Sequence, residues 1–165
     1  MDKKVLVAYA SRAGATAEVA EEVGKVLAAE GLMVDVLPVQ KVESLEAYGA
    51  LVLGSAVRIS RLVSETTRFA RKFSKQIKAL KVVYFVSCLT MYKDTPEART
   101  TVTGYLKPLV KMKEPLDIGL FGGAMVPEKI PGFWSKVMMN AERGDYRDWD
   151  LIREWAKGVA SKLLA

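Results

Sequence analysis

Val5-Leu6-Val7-Ala8-Tyr9, followed directly by Ala10-Ser11-Arg12-Ala13-Gly14-Ala15-Thr16-Ala17, decides the fold. The apolar run reads as a strand buried on both faces, the pattern of a parallel sheet. The residues after Thr16 repeat apolar positions with helical spacing to about Glu30. A strand that ends in small and hydroxyl residues and turns into a helix makes a seat for an anion. Hydroxyls and backbone N–H groups converge there, and the helix dipole favours a phosphate. Gly14 lets the backbone approach a ligand or take positive φ. These residues equally suit an ordinary βα turn with Thr16 as N-cap, and both readings stand on this stretch alone.

The chain has 165 residues, half of them hydrophobic, enough for a single domain over 1–165 with a full core. No stretch is apolar enough to span a bilayer, which needs about 20 residues, and no signal-peptide pattern precedes the first strand. A single cysteine, Cys88, precludes an internal disulfide and fits a reducing compartment, so a cytoplasmic protein is expected. The sequence contains no histidine. Ser-His triads, His-ligated metals and imidazole acid–base chemistry are thereby removed together. No metal site is expected, and any catalysis leans on a cofactor or on carboxylates, Lys, Arg and Tyr.

Outward from the first strand, apolar runs alternate with helical ones. Strands are expected at about 4–9, 33–37, 50–54, 82–87 and 117–124. Helices are expected at about 16–29, 62–78, 96–111 and 148–164, with a short element near 42–47. Along 62–78, Leu62, Thr66, Phe69, Ala70, Phe73 and Ile77 form one stripe. The fold class is α/β: a doubly wound, five-stranded parallel sheet of order 2-1-3-4-5 with helices on both faces. Its ligands belong beyond the carboxyl ends of the strands, at the switch point. An insertion at about 127–149 breaks the alternation. There Phe133, Trp134, Val137 and Met138 would share one face of a short helix.

Charge is uneven. Between Arg58 and Lys81 stand Arg58, Arg61, Arg68, Arg71, Lys72, Lys75, Lys78 and Lys81 against Glu65 alone. Such a surface steers acidic partners or anionic lipid, or it serves only solubility.

The motifs exclude several phosphate-binding families. There is no Gly-x-x-x-x-Gly-Lys-Ser/Thr loop and no Gly-x-Gly-x-x-Gly turn. The third strand ends Leu53-Gly54-Ser55, without the Asp that phosphotransfer in receiver domains requires. The remaining pattern resembles the flavodoxin family, whose phosphate loop reads Ser/Thr-x-Thr-Gly-x-Thr. Here Ser11-Arg12-Ala13-Gly14-Ala15-Thr16 keeps the first hydroxyl, the glycine and the last threonine. Ala13 replaces the middle hydroxyl, and Arg12 stands beside it. That Arg, Val52-Leu53-Gly54-Ser55-Ala56-Val57-Arg58, and Phe121-Gly122-Gly123-Ala124 are similar to the branch that includes menaquinone-dependent protoporphyrinogen oxidase. The resemblance spans residues 3–164.

It implies FMN held by three loops. Phosphate contacts fall on Ser11, Arg12, Ala13, Gly14, Ala15 and Thr16. A second loop is Ser55, Ala56, Val57, Arg58 and Ile59, and a third is Ser87, Cys88, Leu89, Thr90, Met91, Tyr92 and Lys93. Ile59 cannot stack on a flavin as the aromatic usual at that position does; Tyr92 is the nearby aromatic of the third loop. Cys88 is expected as a packing residue more than a redox group. The implied function is FMN-dependent electron transfer, with an acidic redox protein as partner. Alternatives are an oxidoreductase acting on a quinone or porphyrinogen, and a flavin-free interaction module. Peripheral contact with an anionic membrane fits the charge; nucleic acid is not an expected partner.

Overall fold

The structure is a computed structural model and describes residues 3–12, 14–125 and 144–165. In chain order its elements are β1 (Lys4–Ala10), α1 (Ala15–Ala29), β2 (Val34–Pro38), β3 (Tyr48–Arg58), β4 (Arg61–Leu62), α2 (Ser64–Lys72), α3 (Ser74–Ile77), β5 (Lys81–Cys88), α4 (Pro96–Tyr105), α5 (Lys107–Met112), β6 (Ile118–Gly122), β7 (Ala124–Met125), β8 (Gly144–Asp145) and α6 (Trp149–Leu164). Short 3₁₀ turns cover Val39–Lys41 and Leu89–Tyr92.

The long strands pair in parallel in the order β2-β1-β3-β5-β6. Because β4 and the short pair β7–β8 stand outside that ladder, this is the expected 2-1-3-4-5 order. Alternate strand residues feed opposite cores, as the period of two requires. Leu6, Leu51, Leu53, Tyr84 and Val86 pack against Phe69, Phe73, Ile77, Leu106 and Leu109 of the α2–α5 layer. Val5, Val7, Val52, Val83 and Phe85 pack against Val19, Val23 and Leu27 of α1 and Ile152, Ala156 and Val159 of α6. Each fully buried Leu, Ile or Phe here contributes roughly 1.5–3 kcal/mol relative to exposure. The chain leaves β1 toward one face and β3 toward the other, so the switch point lies between their carboxyl ends.

Local chemistry sets the helix ends. Thr95 Oγ1 accepts from the Ala98 amide at 3.1 Å and Pro96 opens α4; Asp148 Oδ1 accepts from the Leu151 amide at 3.1 Å and opens α6. The helix expected over 96–111 is broken at Leu106. Pro108 has no N–H to give the Gly104 carbonyl and its ring crowds it. The helix expected over 62–78 also divides, at Phe73 (φ −106°). The bonds Phe73 N–H to the Phe69 carbonyl and Ile77 N–H to the Phe73 carbonyl span that kink. The apolar stripe therefore keeps its helical spacing across two helices.

Three further expectations are corrected. The segment Ser55–Arg58, read as a loop, continues β3: Ser55 and Ala56 pair with Val86 and Ser87, and Val57 and Arg58 pair back onto β4. Its apolar and small residues extend the strand because two neighbours offer ladder partners. The bridging element is the 3₁₀ turn at 39–41, ahead of the expected 42–47. The last strand ends at Gly122, the last residue to pair with β5; Gly123 still gives its amide to the Cys88 carbonyl at 2.9 Å, and the chain then enters β7. The helix read over 133–138 lies outside the described residues.

Candidate functional site

At the switch point, β1 delivers Ser11 and Arg12, and α1 begins at Ala15, one residue before the expected Thr16. Gly14 occupies the N-cap position with φ 88°, and no side chain caps the helix. A Cβ built on Gly14 would meet nothing within 4 Å, so it is the backbone angle that calls for glycine here. Ser11 Oγ accepts from the Gly14 amide at 3.0 Å, which curls the loop. Thr16 is buried in the first turn and is not the cap. The first-turn amides thus meet no side-chain acceptor among the described residues, an arrangement of helix dipole and open amides that can hold an anion. Ala13 lies outside the described residues.

The second segment is a hairpin tip. Val57 pairs with Leu62 and Arg58 with Arg61, leaving a two-residue turn of Ile59 (φ 51°) and Ser60 (φ 57°). This is the type I′ arrangement, which prefers Asn-Gly because both central residues need positive φ. A β-branched residue pays a steric cost there. The Ile59 side chain is 84% exposed. Behind the tip, Thr66 Oγ1 of α2 donates to Ser55 Oγ at 2.7 Å, and Ser55 Oγ donates to the Ala56 carbonyl at 2.8 Å. The Ser55 hydroxyl is therefore committed to the interior.

The third segment divides between core and surface. Ser87 Oγ donates to the Gly122 carbonyl at 3.2 Å, and Cys88 and Met91 are buried. Burial pushes the Cys88 thiol up, overcoming the lowering by hydrogen bonds from Met91 and Thr90, so it stays a protonated packing group. Thr90, Tyr92 and Lys93 face solvent, with Leu89 half-buried. Tyr92 is 53% exposed, its ring edge-to-face with Tyr146 at 5.7 Å and the Lys93 ammonium 5.8 Å from its centroid.

Two arginines complete the surroundings. Arg12 Nη2 donates to Glu65 Oε1 at 2.9 Å, joining the first loop to the start of α2. Arg147, just after β8, reaches back to α1, where its Nη1 donates to Glu18 Oε2 at 3.0 Å. Sequence reasoning missed Tyr146 and Arg147. Both sit at the end of the stretch read as an insertion, and Tyr146 closes on Gly122 of β6. A Cβ on Gly122 would stand 2.2 Å from the Tyr146 carbonyl oxygen, so only glycine lets that backbone close on the site.

A flavodoxin domain profile matches residues 6–144. The chain belongs to the flavodoxin family. Over 173 aligned residues this flavodoxin-family protein is 24% identical to protoporphyrinogen IX dehydrogenase [quinone] of Escherichia coli strain K12, covering 95% of this chain and 94% of that protein. Solved flavodoxins share its fold. One from the domain Archaea superposes with TM-score 0.60 at 16% identity, covering 98% of this chain and 99% of the other. The two-electron-reduced flavodoxin of Megasphaera elsdenii gives 0.63 at 15% identity, covering 95% and 98%. Membership makes the chain a flavoprotein of electron-transport or oxidoreductase type. No described helix is long and apolar enough to cross a membrane.

Proposed function

We propose that the protein binds FMN at the carboxyl ends of β1, β3 and β5 and works as an electron-transfer flavoprotein. The observation that carries this is the uncapped start of α1 at the switch point, with Gly14 at positive φ and the Ser11 hydroxyl folded over it. That seat suits a monophosphate: the first-turn amides, Ser11, Thr16 and the backbone of Arg12, Gly14 and Ala15 would hold it. The hairpin residues Ala56, Val57, Arg58 and Ile59 and the third segment from Leu89 to Lys93 would border the ring on either side. Ser55, Ser87, Cys88 and Met91 shape that border from behind rather than touching the ligand with free hydroxyls or thiols. Bound FMN would supply the redox chemistry; the chain orients it and sets the charge around it. Ile59 and Tyr92 leave an apolar, open edge suited to exchange with another redox centre.

The basic layer supports an acidic redox protein as partner. Arg68, Arg71, Lys72 and Lys75 are exposed on the outer face of α2–α3, and Lys107 and Lys111 are exposed on α5, which packs beside α2. No ion pair involves any of the six among the described residues.

A second reading is favoured by the likeness to protoporphyrinogen IX dehydrogenase [quinone]: an FMN-dependent oxidoreductase that takes electrons from a porphyrinogen and passes them to a quinone.

Titration of the purified protein with FMN, FAD and riboflavin tests the site. FMN should bind best, and Thr16→Ala should cost about 0.5–2 kcal/mol of FMN affinity, the size of one lost hydroxyl hydrogen bond. Absence of flavin binding sinks the proposal. Flavin reduction by a porphyrinogen, with reoxidation by a quinone faster than by redox proteins, selects the second reading.

A further inference from the structure

We infer that Arg147 is a positioning residue for the anion seat, acting through Glu18. The inference presupposes the FMN site proposed above and extends it to a residue from the far end of the chain. The Arg147 side chain is engaged on every side that the described residues offer it. Its side chain is only 6% exposed, and one edge of its guanidinium grips both carboxylate oxygens of Asp145, Nε to Oδ1 at 2.9 Å and Nη2 to Oδ2 at 2.7 Å. Nη1 donates to Glu18 Oε2 at 3.0 Å and lies 3.4 Å from the Ala15 carbonyl oxygen. The guanidinium carbon also stands 4.9 Å from the centroid of the Trp149 ring. A bidentate carboxylate grip fixes a guanidinium in one plane, leaving its remaining edge aimed at α1.

What it reaches there is an acid in an awkward place. Glu18 lies in the first turn of α1, where the helix dipole favours a negative charge of any origin. A carboxylate there competes with an incoming phosphate for that end of the helix and repels it. Arg147 neutralises Glu18 and draws it toward β8. The same device recurs across the loop, where Arg12 pairs with Glu65. Among the described residues, Glu18 and Glu65 are each held by an arginine from another element.

The readout is the ratio of FMN to riboflavin affinity, because riboflavin has the ring and lacks the phosphate. Arg147→Met should lower that ratio by about three- to thirtyfold, the size of a charge effect at a partly buried helix terminus. Riboflavin affinity itself should hold. Adding Glu18→Gln to Arg147→Met should restore the ratio, since the repelling charge is gone. Arg147→Lys, which keeps the charge and loses the fork, should fall between. Equal loss of both flavins, or a double variant no better than the single one, overturns the inference and leaves Arg147 as a structural clamp. If Arg147→Met fails to fold, Glu18→Gln alone decides. A ratio raised above wild type supports the role, and an unchanged ratio overturns it. Wild-type protein that binds neither flavin overturns the FMN site itself, an outcome distinct from a wild-type preference for FMN that these substitutions leave unmoved.

Discussion

Arg12 and Glu65 are bonded at 2.9 Å between the β1–α1 loop and the first turn of α2, and Ser64 Oγ donates to the same carboxylate oxygen at 2.9 Å. The pair crosses the switch point and ties together the two segments that flank it. It also cancels the positive charge that stands beside the anion seat. Both side chains are partly exposed, so the pair itself adds only about 0–1 kcal/mol to stability.

Glu65→Gln should therefore leave thermal stability nearly unchanged while freeing the Arg12 charge for phosphate. FMN affinity should rise up to about fivefold, the equivalent of about 1 kcal/mol, and should become more sensitive to salt. Flavin fluorescence quenching at two ionic strengths measures this. Equal affinities in wild type and variant would show that Arg12 does not act on the ligand.

The Ile59-Ser60 turn carries backbone strain that an Asn-Gly turn would relieve. Ile59→Asn with Ser60→Gly should stabilise the protein by about 1–3 kcal/mol, the strain expected of such positions. Urea denaturation with an unchanged slope gives that number. The same variant should loosen FMN, because the exposed apolar side chain beside the ring is lost. Gain of stability without loss of binding would assign the strain no role in the site.

Alkaline pH should expose two buried phenols. Tyr48 donates to Asp35 Oδ2 at 2.8 Å; burial first, then that bond and the Asp35 charge, push its pKa up to about 12. Burial alone pushes Tyr84 up as well, its hydroxyl lying 2.8 Å from the Lys113 carbonyl and 3.2 Å from that of Leu109. Both folded-state values exceed the unfolded one, so their contribution is whole below about pH 10. It is lost as pH rises from there toward the raised values. Stability measured from pH 9 to 12 should fall, and Tyr48→Phe should flatten the fall. A variant that tracks wild type over that range would remove Tyr48 as a cause.

Charge on the α2–α5 layer should matter for exchange and not for the flavin. Reversing Arg71, Lys72 and Lys75 to Glu should slow electron transfer to an acidic redox protein and leave FMN affinity intact. Raising salt should have the same effect, since exposed charges are screened beyond roughly 8 Å at physiological strength. If vesicles containing anionic lipid bind the wild type and not the variant, the face serves a membrane instead. Indifference of both rates and vesicles to charge reversal leaves solubility as its purpose.

Much of this architecture was legible in the chain. Strands such as Val5–Ala8 and Val82–Val86 are continuous apolar runs, and helices show a spacing of three and four. These are local periodicities that burial imposes on any sequence of this fold. The loop from Ser11 to Thr16 could be placed because glycine at positive φ and a hydroxyl beside a strand end are requirements of single positions. The helix breaks were harder: Pro108 was visible, but the kink at Phe73 conserves the apolar stripe and so leaves the pattern unchanged.

Pairing across distance was decided only by the tertiary structure. Arg12 meets Glu65 across 53 positions, and Arg147 meets Glu18 across 129. Nothing in the composition around either arginine names its partner, because a surface carboxylate is equally available to any cation that folding brings near. The hairpin at Ile59-Ser60 is a similar case. Its residues disfavour positive φ, and the turn forms because β4 finds its ladder on β3 and Thr66 finds Ser55 beneath it. Local preference set the elements, and the contacts that fix the sheet overruled it at the tip, which lies beside the site.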